Sequence, residues 1–97
     1  MPLRWDARAD KNQKDIVDAA RKMGCSAVPL FRLGQGVGDY LLGYHGHNLL
    51  IEIKTDEGKL TKAEQHFFDT WYGQVTVIRS IEDLRNLLAA YAEYRVP

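Results

Sequence analysis

Residues 39–54 read DYLLGYHGHNLLIEIK, and the fold turns on this stretch. His45-Gly46 separates two apolar runs. Glycine adopts positive φ freely and histidine is enriched there, so the pair suits a two-residue turn. The spacing predicts a β-hairpin with strands over 39–44 and 47–54. With the turn centred on His45-Gly46, Tyr44 faces His47, Leu42 faces Leu49 and Asp39 faces Glu52. Directly opposed residues on one face have Cβ atoms ~4.5–5.5 Å apart. Leu49, Leu50, Ile51 and Ile53 make the second strand apolar on both faces, the pattern of a buried central strand.

Working outward, 10–23 is expected to form a first helix. Asp10 is its cap, Gly24 its stop, and Ile16, Val17, Ala20 and Met23 its apolar face. Residues 1–9 read as a basic arm and 10–94 as the core of a single domain. Residues 26–32 read as a first strand at a sheet edge, because Pro29 lacks a ladder donor. Residues 33–38 hold three glycines and form a loop. Thr61-Lys62-Ala63-Glu64 is a capping-box pattern opening a second helix to about Tyr72. Residues 74–79 form a fourth strand, and Ser80 opens a third helix with Ile81, Leu84, Leu87, Leu88 and Tyr91 on one face. The expected fold class is α/β. Three strands make an antiparallel meander, and a crossover through the second helix sets the fourth strand parallel to the third.

The chain has 97 residues, enough for one core, with 13 Lys and Arg against 13 Asp and Glu. That balance argues against a binder working by bulk positive charge. No apolar run approaches the ~20 residues of a membrane span, and no signal peptide is expected. The single cysteine, Cys25, allows no internal disulfide and reads as a buried thiol. The expected location is the cytoplasm, with no membrane partner and no small-molecule cofactor.

The chemistry concentrates on the hairpin. Two opposed carboxylates destabilise a sheet unless something cationic lies between them. A divalent ion does this well, since Mg²⁺ is commonly held by one or two carboxylates with waters and substrate phosphate. Lys54 lies two residues beyond Glu52 and shares its face. An ammonium there stabilises charge developing on a phosphate or orients an attacking water. The alternative is a solvated face on an edge hairpin. On the first helix, Gln13 shares the inward side with Ile16 and Val17, while Asp15 and Asp18 turn outward. Gln13 equally fits a capping box with Asp10. His45-x-His47 reads as an exposed turn, and Phe67, Phe68 and Trp71 as core.

Together these residues resemble the PD-(D/E)xK nuclease superfamily, most nearly the small stand-alone VRR-NUC proteins of phages and bacteria, relatives of Holliday-junction resolvases. The likeness covers roughly 10–88. It is carried by Asn12-Gln13-x-x-Ile16-Val17, Gly36-Val37-Gly38-Asp39, Leu50-Ile51-Glu52-Ile53-Lys54, Leu60-Thr61-x-x-x-Gln65 and Val77-Ile78-Arg79-Ser80. The resemblance implies a restriction-endonuclease-like αβββαβ core with a further C-terminal helix. It implies a DNA endonuclease using Mg²⁺ or Mn²⁺, with branched, flap or junction DNA among its candidate substrates. Asp39, Glu52 and the Ile53 carbonyl would hold the metal, and Lys54 would assist the nucleophilic water. Gln65, expected to be partly buried beside Phe68 and Tyr72, would sit near the active site. The family often has a Glu where this chain has Gln13, and Pro where it has Gly38. Arg4, Arg8 and Lys11 are candidates for phosphate contact. The family's phage members suggest a homodimer. The alternative function is a non-catalytic nucleic-acid-binding or assembly module retaining the fold.

Overall fold

In a computed structural model of the chain, residues 7–93 are described. Helix α1 (Ala7–Lys22) is followed by β1 (Ser26–Pro29), a single 3₁₀ turn (Phe31–Leu33), β2 (Tyr40–Tyr44), β3 (His47–Ile53), α2 (Lys62–Thr70), β4 (Thr76–Ile78) and α3 (Ile81–Ala90). The four strands form one mixed sheet in the order β1-β2-β3-β4. The first two pairings are antiparallel and the third is parallel. This is the expected α/β arrangement. Among the described residues no helix is long and apolar enough to cross a membrane.

The hairpin has the register read from its turn, with Tyr44 opposite His47 and Leu42 opposite Leu49. His45 and Gly46 both take positive φ, 49° and 82°. The core lies on one sheet face. Ile16, Val17 and Ala20 of α1 and Leu84 and Leu88 of α3 are buried with Leu42, Leu49, Ile51 and Ile78. The opposite face is covered only in part, because α2 contains no buried residue.

Several boundaries differ from the sequence reading, each for a local reason. Helix α1 is already formed at Ala7, so Ala7, Arg8 and Ala9 belong to the helix and not to an arm. All three are strong helix formers. Asp10 therefore lies inside the first turn and does not cap it together with Gln13. Strand β1 stops at Pro29, after which the Leu30 N–H donates to the Asp39 carbonyl and the chain turns. Helix α2 ends at Thr70, and Trp71 adopts extended backbone. Trp71 is exposed, not core, as is its neighbour Tyr72; Phe67 and Phe68 are only half-buried, and the Phe67 ring stacks on that of Trp71. Strand β4 is shorter than 74–79, but the Gln74 side chain continues its pairing. Gln74 Oε1 accepts the Leu50 N–H at 2.7 Å, and its Nε2 donates to the Leu50 carbonyl at 2.8 Å.

Gly38 is buried and leaves no room for a side chain. A Cβ there would lie 2.7 Å from the Ile51 carbonyl oxygen and 3.0 Å from Leu50 Cδ1. The closer atom is backbone, so relief requires β3 to move. Gly38→Ala should therefore lose about 1–3 kcal/mol of stability, the usual cost of overpacking. Thermal unfolding checks this, and an unchanged midpoint would contradict it.

Candidate metal and phosphate site

Strand β2 begins at Tyr40, opposite Ile51, and the residue before it is also tied to β3. The Asp39 N–H donates to the Ile51 carbonyl at 2.8 Å. At the next position the side chain takes over from the backbone, and Asp39 Oδ2 accepts the Ile53 N–H at 2.7 Å. The carboxylate is thus fixed by the same strand that presents Glu52 and Lys54.

Asp39, Glu52, Ile53 and Lys54 line one open cavity of about 320 Å³, together with Asp10 and Gln13 of α1 and Glu64 of α2. The structure therefore brings Gln13 to the strand residues, as the helix phase predicted. Asp15 and Asp18 face away, at 2.7 Å from the amines of Lys11 and Lys14. Helix α1 is held over the site by Asn12. Its Nδ2 donates to the Lys54 carbonyl at 2.9 Å, with the Arg79 carbonyl at 3.5 Å. One residue further along, Gln13 faces the cavity.

Glu52 is only 1% exposed, and its Oε1 has no hydrogen-bond partner. Burial, then the charge of Asp39, then Glu64, push its carboxyl up to about 8. Burial also raises Asp39, opposed by the Ile53 N–H and by Lys54. Burial disfavours the Lys54 ammonium, but its hydrogen bond to Glu64 and the surrounding negative charge outweigh it and hold Lys54 above its ordinary value. Lys54 Nζ lies 2.8 Å from Glu64 Oε1 and 3.6 Å from Glu52 Oε2. Burial raises Glu64 as well, but Lys54 and the Thr61 N–H pull it below the usual carboxylate range.

An unpartnered buried carboxylate oxygen beside a second carboxylate fits a hard divalent cation, whose preferred ligands are oxygens. Asp39 and Glu52 supply two such groups. Among the described residues no cluster of three His, Cys, Asp or Glu side chains forms a ready-made cage. Waters and substrate oxygens would have to complete the coordination.

Other expected residues lie elsewhere. Gln65 is exposed, not partly buried, and its Nε2 donates to Asp69 Oδ1 at 2.8 Å. The capping box fixes the phase of α2 so that Glu64 turns inward and its neighbour turns out. Arg8 is exposed and lines a separate cavity of about 190 Å³ with Asn12, Thr55, Asp56, Glu57 and Arg79. Lys11 is exposed and paired with Asp15. Arg4 lies outside the described residues.

Sequence reasoning read Glu64 only as part of the capping box. That pattern shows Glu64 reaching back to the Thr61 N–H, and the same reach carries it to Lys54. Arg79 also went unassigned. Its guanidinium donates to the carbonyls of Thr55 and Gly58, each at 2.6 Å, and so shapes the loop after Lys54.

Comparison of the chain with protein-family models, with curated proteins and with solved structures finds no match.

The buried acids make stability depend on pH in a definite direction. Glu52 keeps its proton in the folded chain up to about 8 but loses it near 4.5 when unfolded. Between those values the folded state binds more protons, so stability falls as pH rises. In EDTA, the thermal midpoint should drop progressively from about pH 5 to pH 8. Glu52→Gln should flatten that drop and raise the midpoint at the alkaline end. A midpoint that rises with pH across the window would contradict the assignment.

Proposed function

We propose that this chain is a divalent-metal-dependent endonuclease that hydrolyses phosphodiester bonds in DNA. The observation that carries this reading is the pair of Asp39 and Glu52, with a buried unpartnered oxygen, beside Lys54 in an open cavity. Under this reading the fold is a restriction-endonuclease-like core, and the likeness to PD-(D/E)xK and VRR-NUC nucleases extends to its activity.

Asp39 and Glu52, with the Ile53 carbonyl, would hold Mg²⁺ or Mn²⁺. Such an ion supplies positive charge to a phosphate in the cavity. The chain's own groups do the rest. The Ile53 N–H orients the Asp39 carboxylate. The Lys54 ammonium faces the position where negative charge grows on the phosphate, and hydrogen-bonds the water that attacks it. Gln13 offers an amide oxygen or N–H to a water at the cavity wall. Arg8 and Lys11, both exposed on α1, are suited to neighbouring backbone phosphates. A homodimer would supply two such cavities for cutting both strands of a duplex.

The second reading is a nucleic-acid-binding or assembly module that keeps the fold without cleaving. It is favoured by Gln13 at a position where an acid would strengthen metal binding, and by the lack of a three-acid cage among the described residues. Cleavage assays with linear, flapped and four-way DNA separate the two. The parent should cut at least one substrate with Mn²⁺ and none with EDTA. Asp39→Asn should abolish cutting with the fold intact, since an amide oxygen still accepts the Ile53 N–H. Lys54→Ala should lose at least ~10²-fold in rate, typical for one electrostatic stabiliser, while retaining Mn²⁺ binding by calorimetry. Cleavage by Asp39→Asn at the parental rate would overturn the proposal.

A further inference from the structure

Helix α2 reaches the cavity through Glu64, and one oxygen atom of that residue makes two contacts. Glu64 Oε1 accepts the Thr61 N–H at 2.8 Å and lies 2.8 Å from Lys54 Nζ. The reciprocal bond, Glu64 N–H to Thr61 Oγ1, is 3.1 Å. The glutamate is thus anchored to its own helix start and cannot swing freely. Lysine has a flexible four-carbon stem, so its ammonium goes to whichever anion is best placed. Here two carboxyl groups lie within reach. Glu64 has the closer contact, and Glu52 is left at 3.6 Å.

We propose that Glu64 is a positioning residue that draws the Lys54 ammonium away from Glu52 and so keeps the Asp39–Glu52 pair free for a cation. Its consequence for metal binding rests on the nuclease reading, whereas the placement of Lys54 does not. Without the Glu64 carboxylate, the nearest remaining carboxyl group is that of the buried Glu52, and an approaching ammonium would favour its ionised form. The ammonium would settle there, neutralise a metal-holding acid and leave the position it needs beside the phosphate. This explains why a glutamate serves at this capping position although glutamine caps equally well. It also distinguishes Glu64 from a metal ligand, since Glu64 acts on the cation only through Lys54.

The test is a double-mutant cycle read on Mn²⁺ affinity by calorimetry, with NMR of the metal-free protein beside it. Glu64→Gln preserves the capping box and removes the charge. It should weaken Mn²⁺ binding about tenfold, the low end of what groups behind the ligands contribute. In a Lys54→Met background the same substitution should change affinity by less than about twofold, because the competitor is gone. Equal weakening in both backgrounds would make Glu64 a ligand and overturn the proposal. Thr61→Ala removes the hydroxyl cap but keeps the N–H that holds Glu64. It should lower the thermal midpoint and leave Mn²⁺ affinity unchanged; weakening comparable to Glu64→Gln would reduce the effect to helix stability. The NMR arm needs no metal. Nuclear Overhauser contacts from the Lys54 ε-methylene to Glu64 should be strong in the parent and weaken in Glu64→Gln, while those to Glu52, already within reach in the parent, should strengthen. If their relative strengths are the same in both proteins, Glu64 does not position Lys54. If they behave as expected but the parent neither binds Mn²⁺ nor cuts DNA, the placement stands and the nuclease reading fails.

Discussion

Two carboxylates face one another at the end of a hairpin, and the site is organised around the cost of that arrangement. Glu52 is buried on a central strand, where an ionised group is expensive unless paired. Asp39 offsets part of its own burial by taking the Ile53 N–H, whereas one oxygen of Glu52 has no partner. A fold gains nothing in stability from such a pair. Its retention at the mouth of an open cavity is understandable if the strain is relieved by something that binds there. Perturbed acids of this kind cluster at functional sites for that reason.

The surrounding elements hold that geometry in place. Gly38 lets the loop before Asp39 press against β3, where any side chain would meet the Ile51 carbonyl. Asn12 ties α1 to the carbonyl of Lys54, and Arg79 gathers the carbonyls of the loop that follows. Helix α2 adds little to the core but brings Glu64 to the lysine. The face that carries α1 and α3 supplies stability. The opposite face, thinly covered, supplies access.

Much of this was legible in the chain because hairpin geometry is arithmetic. A two-residue turn at His45-Gly46 determines the opposed pairs from Tyr44 with His47 to Tyr40 with Ile51, which brings Asp39 and Glu52 to the end of that ladder, and strand period two then adds Lys54. The inward phase of Gln13 followed from helix geometry in the same way. What escaped was tertiary. The burial of Gln65 was inferred from aromatic neighbours that are themselves exposed or only half-buried, because α2 packs weakly on the sheet. The core reading of Trp71 rests on hydrophobicity alone, but Trp71 lies beyond the helix end and is exposed. The second partner of Glu64 could not be read from a local motif, since Lys54 lies across the loop from it. The N-terminal start of α1 was missed because a good capping residue, Asp10, sits one turn inside a run of strong helix formers.

The most direct measurement is paramagnetic broadening of backbone amide NMR signals by substoichiometric Mn²⁺, which locates the ion without assuming any activity. The account predicts that broadening centres on Asp39, Ile53 and Lys54 and fades along β3 toward His47. Broadening centred on Asp56 and Glu57, or on the outward acids Asp15 and Asp18, would contradict it. So would uniform weak broadening with no centre at all.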